Sequence, residues 1–160
     1  MTGTIAVAAA LVGCGGPALD SVVREAQVAP EAVVRLDDGR AVAARLDGPL
    51  VRVVDFVRGP DGWRVEERAG ATSPRGGSVS AVSGGGEMIG PWPTFVFGAA
   101  PPGVARVVVA GIDGVGGQVV DGAWVVASRV ENIPMGQIAW QFLDAGGGVV
   151  LSGEGLYQAP

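Results

Sequence analysis

The chain has 160 residues, so one domain is the default, and a chain of that size buries enough surface to fold without a disulfide or a structural metal. The formal net charge is −5, and all eleven cations are arginine; with no clustered cationic face, nucleic acid is excluded as a partner. The absence of His and Lys removes Ser-His-Asp and Cys-His catalysis, Ser-Lys dyads, Schiff bases and histidine-based zinc, so no catalytic residue, metal or cofactor is expected.

The first sixteen residues read MTGTIAVAAALVGCGG. Ile5 to Val12 is an unbroken apolar run, too short to span a bilayer and of the size of a signal-peptide core. The only Cys of the chain, Cys14, follows it after Gly13. The stretch Leu11-Val12-Gly13-Cys14 resembles the lipobox of bacterial lipoproteins. That resemblance implies a signal peptide over residues 1–13, cleavage before Cys14, and lipidation of its sulfur. It also implies anchorage to the extracytoplasmic face of the cell membrane and a tether over 14–29. A single exported thiol is a reactive liability, and a thioether to lipid removes it. The alternative is a buried first strand with an ordinary core Cys.

Residues 17–29, PALDSVVREAQVA, read as tether plus a first short element. Asp20 or Ser21 suits a helix N-cap, while Val22 and Val23 suit a strand. From Ala32 onward the pattern is that of short strands. Val42, Ala44 and Leu46 alternate with Ala41, Ala43 and Arg45, a period of two. Asp38-Gly39 and Asp47-Gly48 carry turn chemistry. Leu50 to Arg58 is a longer strand, Gly59-Pro60-Asp61-Gly62 a turn, and Trp63 to Arg68 its returning partner.

Residues 70–93 are rich in Gly and Ser and are expected as a linker or long loop within the domain. The forty or so residues before them are too few to hold a core alone. Trp92, in Gly90-Pro91-Trp92-Pro93, is either an exposed anchor for a partner or glycan or a loop staple.

Thr94 to Gly98 is a short aromatic strand. Pro102 to Ser128 repeats the plan of Pro30 to Val57: Pro, a Val-Arg strand, Asp-Gly, a second strand, Asp-Gly, an apolar third strand. Two related three-strand meanders are therefore expected. Ala123 to Ser128 is apolar on both faces, which predicts a central strand. In Gly136 to Leu143, Ile138, Trp140 and Phe142 point one way and Gln137, Ala139 and Gln141 the other. Asp144 to Gly148 is a turn, and Val149 to Leu151 closes a terminal hairpin.

Roughly nine to eleven short strands at this spacing predict an all-β fold, an immunoglobulin-like β-sandwich over residues 30–160, with an open β-barrel as the alternative. The body is similar in a general way to small secreted β-sandwich domains. Trp63, Trp124 and Trp140 are expected in the core. Carboxylates remain available for a glycan-acting acid pair, with Glu87, Asp113, Asp121 and Glu131 as candidates. Asp before Gly has the simpler explanation of turn geometry, which also competes with calcium at Asp37-Asp38-Gly39. Glu66 and Glu67 are adjacent on a strand and so face opposite ways. The expected role is a binding or protein-interaction module of the bacterial cell envelope, with an envelope protein or a glycan as partner.

Overall fold

Short β-branched runs punctuated by Gly and Asp-Gly turns close into hairpins before anything else, and the first sheet is built that way. In a computed structural model of the chain, residues 16–67, 79–82, 95–111, 114–128 and 137–156 are described. Strands β1 (Val34–Arg35), β2 (Arg40–Asp47), β3 (Leu50–Gly59) and β4 (Gly62–Glu67) form an antiparallel meander in that order. The β2–β3 turn is the two-residue loop Gly48-Pro49, with Asp47 paired to Leu50 and Gly48 at φ +59°. The β3–β4 turn is Pro60-Asp61, with Gly59 paired to Gly62. Both turns lie where the sequence places them.

The middle sheet has the order β5 (Val79–Val82), β6 (Phe95–Ala99), β9 (Ala123–Ser128), β8 (Gly114–Gly116), and the third sheet the order β11 (Val149–Leu156), β10 (Gln137–Leu143), β7 (Arg106–Ala110). All pairings are antiparallel. The fold is thus all-β and sandwich-like, and its sheets number three; among the described residues no barrel closes.

Packing follows from which faces are apolar. Every residue of β6 and β9 is buried, as expected of a sheet covered on both sides. One face, with Phe95, Phe97, Val125 and Ala127, packs on Val42, Ala44, Val51 and Val53 of the first sheet. The other, with Val96, Trp124 and Val126, packs on Val107, Val109 and Phe142 of the third. Trp124 meets Phe142 edge to face, with centroids 5.9 Å apart, a favoured aromatic geometry.

The outer face of the first sheet also carries apolar residues, Ala41, Ala43, Val54, Phe56 and Trp63, and helix α1 (Leu19–Glu25) covers them with Leu19, Val22 and Val23. Where the sequence suggests a tether with a short element, the chain from Leu19 is therefore a packed helix. Asp20 in its first turn and Arg24 in its last complement the helix dipole. Its end is a Schellman motif: the Val28 N–H reaches the Val23 carbonyl, the Gln27 N–H reaches Arg24, and Gln27 takes φ +55°. A 3-10 turn (Pro30–Ala32) then leads into β1. Seven helical residues span too few turns for a periodic signal to stand out, which is why the sequence leaves this stretch ambiguous.

The second meander keeps its strand order but is sharply bent. The middle strand bonds to β9 over Gly114–Gly116 and to β7 just beyond it. Gly117 is the corner: its N–H donates to the Val125 carbonyl at 2.8 Å, and its own carbonyl accepts from Val107 at 2.6 Å. The bend uses φ of +105° at Gly116 and +90° at Gly117, and a Cβ on Gly117 would collide with the Val107 carbonyl oxygen.

Gly117→Ala is therefore expected to cost at least about 3 kcal/mol, from a backbone clash added to a strained left-handed φ. Gly103→Ala, at φ +88° with open space around it, should cost only about 1 kcal/mol. Urea denaturation of the two variants measures the difference, and equal losses would show that the corner is not constrained as described.

Candidate interaction surface

Strand alternation on a sheet buried on one side sends every second residue to solvent. β7 obeys it: Val107 and Val109 are buried, while Arg106, Val108 and Ala110 are exposed. Gln141 of β10 is exposed on the same outer face, in register with Val108. The large exposed hydrophobics of the described residues are Val108 at 39%, Val149 at 57%, Val150 at 50% and Leu151 at 41%, and all four lie on the third sheet.

Three of them are consecutive on β11, which pairs only with β10 among the described residues and so presents a free edge. An edge strand offers unpaired N–H and C=O groups to any extended segment, and proteins usually blunt such edges with Lys, Pro or inward charges. Val149 to Leu156 carries none of these; Glu154 is its only charge.

The strand is held firmly from behind. Asp144 closes the β10–β11 turn, its Oδ1 accepting from the N–H groups of Gly146 and Gly148 at 2.8 Å each. A register shift falls between Phe142 and Leu143. The Trp140 ring lies against Gly153, where a Cβ would meet it at 2.6 Å. A strand that pairs on one side only among the described residues and carries exposed apolar side chains has the form used for recognition by strand addition, with the main chain supplying affinity and alternate side chains specificity.

Three depressions are lined by described residues outside β10 and β11. One of about 620 Å³ runs between α1, the 3-10 turn and β1, with Val23, Val28 and Val33 beside Arg24 and Arg35. A second, of about 570 Å³, opens at Gly16 and the β3–β4 turn and is lined by Arg35, Arg58 and Trp63. The third, also about 570 Å³, includes Glu31, Arg106 and Gln118.

Cys14 and Trp92 lie outside the described residues, as do Glu87, Asp113 and Glu131. Asp121, at φ +49° beside Gly122 at +79°, sits in a two-residue turn closed by reciprocal Val120–Ala123 bonds of 2.9 and 3.0 Å. That is a type I′ hairpin, so its carboxylate position follows from backbone geometry. Asp37 accepts from the Gly39 N–H at 2.7 Å, an Asx turn. Glu66 is bound by Arg64 at 2.8 and 3.0 Å. Among the described residues, no three of His, Cys, Asp and Glu gather as a metal site, and no helix is long and apolar enough to cross a membrane.

One charged group escaped the sequence reading. Asp55 is fully buried on β3 and paired with Arg40 Nη2 at 3.1 Å. The signal was present, a lone acid between Val54 and Phe56, but it reads equally as a solvated strand position.

Val150→Lys and Leu151→Lys should leave stability within about 0.5 kcal/mol, because both side chains already face water. Phe142→Ala should cost about 3–5 kcal/mol, and Arg40→Ala about 3 kcal/mol by stripping a partner from a buried carboxylate. Thermal and chemical denaturation of the four variants checks this; a large loss at Val150 or Leu151 would mean that the edge is internal. No family model, curated protein or solved structure matches the chain.

Proposed function

We propose that the chain is a lipid-anchored, extracytoplasmic β-sandwich protein that serves as a binding or protein-interaction module of the bacterial cell envelope. The observation that supports the interaction role is the apolar edge of β11, with Val149, Val150 and Leu151 exposed in sequence on a strand that pairs only with β10 among the described residues. The anchor rests on the sequence: an apolar run of signal-peptide size, the Leu11–Cys14 motif, and a sole Cys within it. An envelope protein bound by strand addition fits this surface better than a glycan, because the exposed groups are aliphatic and main-chain rather than aromatic or amide.

Cys14→Ser is expected to move the protein from the membrane fraction to the soluble one, with loss of the lipid mass from its N-terminal peptide. A variant that still sediments with membranes refutes the anchor. Val150→Lys should abolish cross-linking to the envelope partner in detergent-solubilised cells while leaving membrane fractionation unchanged; retained cross-linking refutes the edge as the contact.

A further inference from the structure

Gly16 is held by the β3–β4 turn. A Cβ on Gly16 would run into the Asp61 carbonyl, and one on Gly62 would meet the Gly16 backbone at 2.5 Å. The Trp63 N–H donates to the Pro17 carbonyl at 2.9 Å. Two residues further on, Leu19 is already in the core. The chain therefore has no slack after Gly16. Only Gly15 separates Gly16 from Cys14, and two trans peptides reach at most about 7.6 Å between Cα atoms.

From this we infer that the end of the fold bearing Gly16 and the β3–β4 turn rests directly on the phospholipid headgroups, which fixes the orientation of the domain. The inference depends on the lipid-anchor reading and adds to it which face meets the bilayer. A lipid on the Cys14 sulfur puts the headgroup layer within roughly 10 Å of Pro60 and Asp61. The depression that opens there carries the exposed Arg35 and Arg58, whose guanidinium groups are suited to phosphate oxygens. Asp20 and Asp61 lie at the same end, as do the exposed Asp37 and Asp38 of the β1–β2 turn, whose Gly39 carbonyl accepts from Arg58 N–H at 2.8 Å, so the tether, not net charge, sets which end meets the bilayer. The ten residues of β3 carry the Gly48-Pro49 turn about 30 Å from the β3–β4 turn.

The test uses the full lipidated chain in phosphatidylcholine–phosphatidylglycerol vesicles. Asp61→Cys and Pro49→Cys are each labelled with a thiol-reactive fluorophore and quenched by headgroup-spin-labelled lipid. Given the separation along β3, quenching at residue 61 should exceed that at 49 by at least about threefold. Inserting roughly twelve Gly/Ser residues between Gly15 and Gly16 should erase the difference by freeing the domain. Equal quenching at both sites, or a difference that survives the insertion, overturns the orientation while leaving the anchor standing. The parental chain reports on the anchor itself: its only Cys, once alkylated by lipid, takes no label. A parental chain that labels overturns the anchor and the orientation together.

Discussion

The fold depends on a sheet that has no polar side. β6 and β9 bury every residue they contain, so the middle sheet is stable only when both faces are covered, and burial of each apolar side chain contributes about 1.5–3 kcal/mol. The first sheet answers one face with Val42, Ala44, Val51 and Val53; the third answers the other with Val107, Val109 and Phe142. Each cover then has its own outer surface. The first sheet is apolar there too and recruits α1. Among the described residues nothing covers the outer face of the third sheet, and the exposed valines and leucine collect on it. The surface proposed for recognition is thus what remains when the layers run out.

Charge plays a secondary part. The pairs Arg52–Asp47 and Arg64–Glu66 are partly exposed, and such pairs stabilise little. Arg40–Asp55 differs because the carboxylate is wholly inside. Removing water from it costs several kcal/mol unless the partner stays in place. Arg40 at the start of β2 therefore matters to Asp55 on β3 through dependence rather than net attraction.

Local chemistry was readable from the residues and assembly was not. The Asp121-Gly122 turn, the turn signalled by Asp47-Gly48, the centrality of β9 and the outward Gln141 beside an inward Phe142 in β10 all follow from period and turn residues, which act within a hairpin. Which sheet covers which cannot be read that way: apolarity of a strand face states that it is buried and is silent on the partner. Two sheets were the economical expectation, and the third arises because Gly116 and Gly117 bend the second meander, a property of φ that glycine permits without announcing. The edge strand was legible as a strand but not as a surface, since three consecutive apolar residues suggest burial on both faces. The Cys14 motif and Trp92 are visible only in the sequence.

Gly117 gives one peptide unit to each of two sheets. Its amide hydrogen belongs to the middle layer and its oxygen to the third, so neither ladder can fray past this residue without loosening the other. The two layers should therefore melt as one cooperative unit, and amide protons of β7 and β9 should exchange with a common opening free energy. A domain joined in this way cannot shed β7 and keep β9 intact, which ties the outer sheet to the interior behind it.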